Sequence, residues 1–189
     1  LGADYIKMMS TGGGFTPRTN VRRAQYPSET LKAAVDDAER MGVRVAAHCH
    51  GTEGVKNCVE AGVHNLIHCT WVSADPDKIY DYDTEVADMI AEKGLYVDPT
   101  VAFDRIWQEK GIKVKKEDQT ILRSDRERRY EILKDMWDRG VKFVTGIDSG
   151  MAHVGFGDFA YTPQVMVEQL GIPAMDVLIS ASKVTADCL

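Results

Sequence analysis

Two stretches of the chain decide its fold, VRVAAHCHG at residues 43–51 and VHNLIHCTW at residues 63–71. Each is a short apolar run that leads into histidine, with His48 and His50 in the first stretch and His68 in the second. Unbroken apolar runs of this length are typical of strands that are buried on both faces. The residues between them, GTEGVKNCVEAG, predict a short helix. The pair therefore predicts a strand–helix–strand unit.

The same alternation extends along the rest of the chain. An earlier strand is predicted over residues 3–9 and carries Lys7 toward a glycine cluster. Two later strands are predicted, LYVDPT, which stops at Pro99, and VKFVTGID, which ends at Asp148. Further helices are predicted over about residues 29–41, 83–94, 101–110, 117–139, 163–170 and 173–187. We therefore predict an α/β fold with about five parallel strands, flanking helices and right-handed crossovers.

Two architectures fit this order of elements, an open doubly wound sheet and part of a TIM-like (β/α)8 barrel. No GxGxxG sequence follows a predicted strand, which weakens the dinucleotide-binding interpretation. Ligand-type side chains stand at the ends of several strands, and barrel enzymes build their sites from several strand ends in this way. The partial barrel is therefore the favoured prediction.

Composition is that of a single globular domain over residues 1–189, with 44% hydrophobic and 28% charged residues. The formal charge of -6 and the lack of a basic stripe argue against a nucleic-acid partner. No apolar stretch is long enough to predict a membrane span. The cysteines at positions 49, 58, 69 and 188 form no CxxC pair and are predicted to be reduced core residues. With no signal segment at the start, we expect a cytoplasmic protein.

Three predicted strand ends carry metal-ligand side chains, His48, His68 and Asp148. One histidine at a strand end is usually structural. Ligand-type residues at three strand ends occur together by chance far less often. Imidazole nitrogen and carboxylate oxygen together suit Zn²⁺ and similar divalent ions. His50 can share a strand face with His48, or it can face the loop that begins at Gly51. We predict that His48 is the ligand and that His50 contacts the ligands or the substrate.

Lys7 can join this group only after chemical modification. An ammonium group cannot bind a cation, whereas a lysine carboxylated by carbon dioxide presents an anionic oxygen pair that can bridge two metal ions. Paired ions about 3.5–4 Å apart clamp the attacking and leaving oxygens of a reaction. Asp148 would bind one ion and accept a proton from the attacking water as a general base.

The segments IKMMSTGGG, AAHCHGTEGVKNCVEAGVHNLIHCT, GLYVDPT and VTGIDSG resemble the metal-dependent amidohydrolase superfamily in order and spacing. The nearest branch is that of the imidazolonepropionase-like and Xaa-Pro dipeptidase (prolidase-type) members. The resemblance implies that Lys7 is the carboxylated lysine of the fourth barrel strand. It also implies that His48 and His68 are the metal ligands of the fifth and sixth strands, and that Asp148 is the aspartate of the eighth. The seventh strand of that family carries no ligand, in keeping with LYVDPT.

The resemblance further implies that this chain is the C-terminal half of the barrel, with strands four to eight. The HxH metal pair of the family's first strand has no counterpart before Lys7, so a complete two-metal site would lack ligands. A half barrel presents unpaired strand edges and an apolar wall. We therefore expect the chain to associate with a second copy or with the missing half of the barrel.

The predicted function is hydrolysis of an amide-type C–N bond in a small molecule such as a dipeptide, a cyclic amide or a urea-like compound. The cofactor is predicted to be one or two divalent metal ions, most simply Zn²⁺. Asp148 transfers the proton, and His50 helps to hold the developing oxyanion. The alternative is a catalytically inert barrel half that self-associates, and the missing HxH pair favours it. Metal content distinguishes the two.

Other polar residues are weaker candidates. Asp98 before Pro99 is interpreted as a turn or cap carboxylate. Arg22 in the loop after the first strand could hold a substrate carboxylate, although a surface role is favoured. Phe103 could line an apolar pocket or could pack in the core.

Overall fold

The computed structural model describes residues 2–112, 125–151 and 153–189. Within these residues the strands are β1 (Tyr5–Met9), β2 (Arg44–Gly51), β3 (Asn65–Val72), β4 (Tyr96–Asp98) and β5 (Lys142–Phe143). The α-helices are α1 (Ser28–Arg40), α2 (Thr52–Ala61), α3 (Thr84–Glu92), α4 (Phe103–Glu109), α5 (Arg126–Asp138), α6 (Tyr161–Glu168), α7 (Ala174–Ile179) and α8 (Thr185–Cys188). A 3₁₀ helix (Phe156–Ala160) precedes α6, and a π-helical segment (Ser180–Val184) joins α7 to α8.

The strands form one sheet in the order β1-β2-β3-β4-β5, and every neighbouring pair is parallel. At least one helix lies between consecutive strands, as a parallel crossover requires. The predicted α/β fold with five parallel strands and flanking helices is therefore confirmed. Since all the strands run in one direction, their carboxyl ends meet at a single edge of the sheet, where sites in α/β folds are built.

Strand β2 shows how the two faces of the sheet differ. Val45, Ala47 and Cys49 belong to the main hydrophobic core. Helices α1 and α2 contribute further residues to the same core, namely Leu31, Val35, Ala38, Val55, Cys58 and Val59. Burial of each leucine or valine side chain stabilises the fold by about 1.5–3 kcal/mol. Because side chains alternate along a strand, His48 and His50 point to the opposite face, where they are also buried.

Strand β5 is shorter than the sequence predicts. The run VKFVTGID predicts a strand as far as Asp148, whereas β5 covers Lys142–Phe143. Its partner in the described part of the chain, β4, is itself a three-residue strand, and Tyr96 and Val97 provide the pairing positions. The strand prediction was therefore wrong beyond residue 143, because a second neighbouring strand would be needed to extend the ladder. Asp148 lies in the loop that follows.

Most other element boundaries agree with the predictions to within a few residues. Strand β3 continues past His68 to Val72. The helix predicted over residues 117–139 is seen as α5 from Arg126, and residues 117–124 of that prediction lie outside the described residues. In the part of the chain that the structure describes, each helix is too short or too polar to cross a membrane.

Gly54 of α2 lies where this helix contacts the loop after β1. A Cβ atom at Gly54 would lie 2.3 Å from Cγ2 of Thr11. The Thr11 side chain cannot move freely, because its hydroxyl accepts a hydrogen bond from the His50 N–H and donates one to the Gly12 carbonyl. The overlap therefore outweighs the advantage of about 1 kcal/mol that alanine has over glycine in a helix.

We expect Gly54→Ala to lower the free energy of unfolding by about 1–3 kcal/mol, measured by urea denaturation. The control is Gly157→Ala, because no atom lies within 4 Å of a Cβ at that position. This control should change the free energy of unfolding by less than about 0.5 kcal/mol. Equal losses in the two variants would contradict the steric explanation.

Candidate metal centre

A pocket of about 250 Å³ opens at the carboxyl edge of the sheet. All the site residues predicted from the sequence line it, namely Lys7, His48, His50, His68 and Asp148. The rest of its wall is formed by Met9, Gly13, Gly14, Phe15, Thr16, Thr100, Val101, Phe103, Asp104, Arg129 and Met151. Residues that are scattered through the sequence are thus brought together in one place. The register of the parallel strands produces this convergence, since β1, β2 and β3 end side by side.

Three imidazoles form the centre of the pocket. Ligand atoms of His48, His50 and His68 lie within 4.8 Å of one another, and all three residues are buried. The ring centroids are 4.5 Å apart for His48 and His50, 4.7 Å for His48 and His68, and 4.6 Å for His50 and His68. Three convergent nitrogen donors in a buried site suit a divalent ion such as Zn²⁺. The donor set therefore fits a metal ion, and these residues can hold one.

His50 faces the pocket and not the loop beyond β2. The sequence left both orientations open, and alternation along the strand decides between them, because residues two apart share one face. Its ring lies as close to His68 as the ring of His48 does. The ring distances therefore do not distinguish His48, which was predicted to be a ligand, from His50, which was predicted to contact the ligands or the substrate.

Each ring is held by one hydrogen bond. Nε2 of His48 lies 3.0 Å from the carbonyl oxygen of Gly12. A carbonyl oxygen can only accept, so Nε2 must carry the proton, and Nδ1 is left with the lone pair that a cation needs. Partners of this kind fix the tautomer and the orientation of metal-binding histidines.

Two threonines, which the sequence analysis missed, hold the other rings. Nδ1 of His50 lies 2.8 Å from Oγ1 of Thr70, and Nδ1 of His68 lies 2.7 Å from Oγ1 of Thr100. Each bond occupies Nδ1, so Nε2 is the ring nitrogen that can bind a cation when Nδ1 carries the proton and donates it to the threonine hydroxyl. Thr70 lies on β3, two residues after His68, and Thr100 follows the end of β4 by two residues, but no feature of the sequence distinguishes them from other buried threonines.

The electrostatic environment keeps these imidazoles neutral. Burial lowers the pKa of all three, and those of His50 and His68 lie well below the usual histidine range. The positive charge of Arg129 contributes to the lower pKa of His50 and of His68. Histidine binds metal only in its neutral form, so this environment prepares the rings for ligation.

Lys7 and Asp148 lie at the exposed rim of the pocket. Both are close enough to affect the triad: the charge of Lys7 lowers the pKa of His48 and of His68, and the charge of Asp148 raises the pKa of His48. The structure thus places both predicted residues in the same pocket as the triad, although Asp148 lies in a loop and not at a strand end.

Backbone strain is concentrated around the pocket. Non-glycine residues with positive φ include His68 at 71°, Thr100 at 44° and Asp148 at 55°. Residues with side chains rarely adopt this conformation, and such strain tends to persist at functional sites. Two more of these residues, Cys69 and Trp71, adjoin His68 on β3. Five of the outliers thus lie in three of the segments that bring side chains to the pocket.

Asp98 braces the loop that carries Asp148. Its Oδ1 accepts hydrogen bonds from the N–H groups of Thr100 at 3.2 Å and Gly146 at 3.1 Å. Burial raises the pKa of Asp98 to about 6, and the charge of Asp148 adds to the effect. The bond to Thr100 agrees with the interpretation of Asp98 as a turn carboxylate, and the bond to Gly146 ties β4 to the segment after β5.

The weaker candidates have different positions. Arg22 lies outside the pocket and donates to the backbone carbonyls of Asp75 and Lys78 at 2.8 and 2.9 Å, so it joins two loops. Phe103 lines the pocket, and its ring stacks on that of Phe15 with centroids 6.0 Å apart. The site thus has an apolar wall beside its polar centre.

Comparison with known proteins identifies the family. The amidohydrolase family model matches residues 1–189, and the chain belongs to that family. Ochratoxinase from Aspergillus niger is 28% identical over 182 residues, which are 96% of this chain and 35% of that protein. The predicted resemblance to amidohydrolases is therefore confirmed.

Solved structures agree with this assignment. The crystal structure of A. niger ochratoxinase matches with a TM-score of 0.80 and 26% identity, over 99% of this chain and 40% of that one. A Xaa-Pro dipeptidase with bound methionine in its active site matches with a TM-score of 0.74 and 28% identity, over 99% of this chain and 44% of that one. The chain thus spans less than half the length of these relatives. Its five-stranded fold is part of a TIM-like barrel, as the sequence predicts.

Thr100→Val tests whether the partner of His68 tunes a metal centre. We expect it to weaken Zn²⁺ binding about 10- to 100-fold, because loss of the hydroxyl frees the ring to rotate and removes its hydrogen-bond partner. Affinity is measured by competition with a chromogenic chelator. The control is Thr145→Val, since the buried Thr145 hydroxyl has no hydrogen-bond partner within the described residues. Equal affinities for the Thr100→Val variant and the parent would exclude this tuning role.

Proposed function

We propose that this chain forms part of the active site of a metal-dependent hydrolase that cleaves amide-type C–N bonds. The observation that carries the proposal is the buried triad of His48, His50 and His68, which shares one pocket with Lys7 and Asp148. Membership of the amidohydrolase family supports it. So do the names of the similar proteins, an ochratoxinase and a Xaa-Pro dipeptidase.

Zn²⁺ is the metal we propose, since nitrogen donors dominate the triad. A bound divalent ion would polarise the scissile carbonyl and make water nucleophilic at neutral pH. We propose His48 and His68 as ligands, with Asp148 at the rim. Carboxylation of Lys7 would add an anionic ligand, and intact-mass measurement of the native protein would detect the added carbon dioxide.

Asp148 is proposed to move the proton. Hydrolysis breaks the C–N bond, forms a C–O bond to the attacking water and places one of the protons of that water on the leaving nitrogen. A carboxylate at the pocket rim is exposed to both water and the leaving group, so Asp148 can accept the proton and then return it. His50, in the pocket centre, is proposed to stabilise the oxyanion that forms at the carbonyl.

The apolar part of the pocket limits the substrates that fit. Met9, Phe15, Val101, Phe103 and Met151 are the large apolar residues that line the cavity, and the rings of Phe15 and Phe103 stack. A cavity of this kind favours a substrate with an apolar group beside its scissile amide. Dipeptides and cyclic amides with such groups meet this requirement, whereas urea itself offers no apolar surface.

Asp148→Asn tests the assignment of the proton carrier. We expect it to lower kcat by about 10²- to 10⁴-fold, because asparagine cannot accept a proton. Unfolding curves should match those of the parent, since Asp148 is exposed. Hydrolysis of an apolar dipeptide by the full-length, zinc-loaded protein is the assay, and Asp176→Asn on α7 is the exposed control. Full activity in the Asp148→Asn variant would remove this residue from proton transfer.

We also propose that the chain associates with a second copy or with the rest of a barrel. Ile6 and Met9 on β1 are 39% exposed, and Met175 and Leu178 on α7 are 66% and 59% exposed. Exposed apolar side chains promote association when they form a continuous patch. A reducing, cytoplasmic location also stays a proposal; the free, buried cysteines are compatible with it.

Sedimentation velocity at micromolar concentration tests the association. We expect a species heavier than the 21.0 kDa chain. Leu178→Glu should shift the distribution toward the monomer, because it replaces an exposed apolar side chain with a charged one. Lys183→Glu, on the neighbouring π-helical segment, is the control and should leave the distribution unchanged. A monomeric parent would refute self-association.

A further inference from the structure

Asp98 is a carboxylate that lies beside the triad without lining the pocket. It is the last residue of β4, and the strand register pairs it with Ile67 of β3, the residue before His68. Val97 belongs to the main core, so alternation along the strand directs the Asp98 side chain to the face of the sheet that carries the triad. Asp98 is not among the described residues that line the pocket. Any role in hydrolysis must therefore act through another residue.

One oxygen atom of Asp98 joins two segments of the site. Oδ1 accepts hydrogen bonds from the N–H of Thr100 at 3.2 Å and from the N–H of Gly146 at 3.1 Å. The Thr100 hydroxyl lies 2.7 Å from Nδ1 of His68. Gly146 precedes Asp148 by two residues. The same oxygen therefore restrains the segment that orients a proposed metal ligand and the segment that carries the proposed proton carrier.

The segment that leads to Asp148 depends on this side chain because the strand ladder ends before it. Within the described residues, the last backbone hydrogen bond between this segment and β4 runs from the Val144 N–H to the Val97 carbonyl at 2.9 Å. Two residues further on, the Gly146 N–H meets the Asp98 carboxylate in place of a backbone carbonyl. Asp98 thus continues the restraint of the sheet past the end of β5.

Gly146 is fitted closely between two side chains. A Cβ atom at this position would lie 2.0 Å from Oδ2 of Asp98. The Gly146 carbonyl accepts a hydrogen bond from the hydroxyl of Thr162 on α6 at 3.0 Å. Side chains therefore hold both the N–H and the carbonyl of this glycine, so a displacement of Asp98 moves the loop that carries Asp148.

Each of the two segments also contains a residue in a strained conformation. The φ angle is 44° at Thr100 and 55° at Asp148. A strained backbone relaxes unless its surroundings hold it in place. The hydrogen bonds that Asp98 accepts from the two segments supply this restraint on both sides at once.

We propose that Asp98 is a positioning residue that holds His68, a proposed metal ligand, and Asp148, the proposed proton carrier, in one fixed geometry. A proton carrier acts only within hydrogen-bond reach of the proton that it accepts, so a small displacement of its loop lowers the rate. The effect on kcat rests on the proposed function. The effect on metal affinity does not require hydrolysis.

Asp98→Leu tests this role, because it replaces the carboxylate with an apolar group of the same branched shape. In the full-length protein, Zn²⁺ affinity should fall about 10- to 100-fold, as loss of support for a metal-binding group typically causes. Affinity is measured by competition with a chromogenic chelator. For hydrolysis of an apolar dipeptide, kcat should fall by a similar factor at nearly unchanged KM, because Asp98 does not contact the substrate.

The matched control is Asp83→Leu. Oδ1 of Asp83 also accepts two backbone N–H groups, from Glu85 and Val86, both at 3.1 Å. Asp83 caps α3, however, and lies outside the pocket. This variant should lose stability and leave kcat and Zn²⁺ affinity as in the parent. Equal effects of Asp98→Leu and Asp83→Leu on both quantities would overturn the inference.

Gly146→Ala displaces the Asp98 carboxylate without removing its charge, since the new methyl group would overlap Oδ2. We expect it to lower kcat and Zn²⁺ affinity as Asp98→Leu does, so it decides the question if the leucine variant does not fold. Asp98→Asn keeps an acceptor oxygen and should retain more of both quantities than Asp98→Leu. A folded Gly146→Ala variant with the kcat and the Zn²⁺ affinity of the parent would contradict the positioning role.

Double variants distinguish positioning from a general loss of stability. In a Thr100→Val background, Asp98→Leu should lower Zn²⁺ affinity little further, because its effect on His68 passes through the Thr100 hydroxyl. In an Asp148→Asn background, Asp98→Leu should likewise lower kcat little further. Full additivity of the single losses in both cycles would exclude the proposed coupling.

Failure of the proposed function has a different signature. A parent that binds Zn²⁺ but hydrolyses no amide would refute the hydrolase, while a loss of affinity in Asp98→Leu would still support the positioning of His68. An active parent whose kcat and Zn²⁺ affinity are unchanged by Asp98→Leu would refute the positioning role and leave the hydrolase supported. A parent that binds no Zn²⁺ would overturn both, because both require His68 as a ligand.

Discussion

Parallel pairing of β2 with its two neighbours is the constraint on which the site depends. The pairing sets Met9 of β1 beside His48, and Cys49 of β2 beside His68. A shift of one residue in either pair would turn a histidine away from the pocket, because side chains alternate along a strand. The hydrophobic side chains on the opposite face of β2 resist such a shift, since it would bring them out of the core. Core packing and site geometry are thus two results of one register.

Polar groups behind the triad fix the orientation of its three imidazole rings. The Gly12 carbonyl, Thr70 and Thr100 each hold one ring of the triad. The strained backbone at His68 and Thr100 is the cost of aiming these groups. The large buried core behind the sheet offsets the energy of this strain, because it holds the strands in place.

The sequence predicts the regular part of this arrangement well. Periodicity identifies the strands, and strand polarity brings Lys7 and the histidines to one edge. It does not predict how far β5 extends, because that depends on the length of its partner strand. Nor does it predict Thr100 or Arg129, since their positions depend on irregular backbone and on the packing of α5, which leave no periodic pattern. Local patterns therefore identify the candidate ligands, whereas their supporting residues are seen only in the three-dimensional structure.

The hydrogen bond from His48 to Gly12 shows that the loop after β1 contributes to the site in two ways, through its main chain and through its side chains. The proton on His48 is directed by a peptide carbonyl, which every amino acid possesses, while Phe15 and Thr16 of the same loop contribute side chains to the pocket wall. Gly12 itself is constrained, because a Cβ there would lie 2.4 Å from the backbone nitrogen of Asn20. The wall residues can therefore change in evolution, and with them the shape of the pocket, while the imidazole keeps its tautomer.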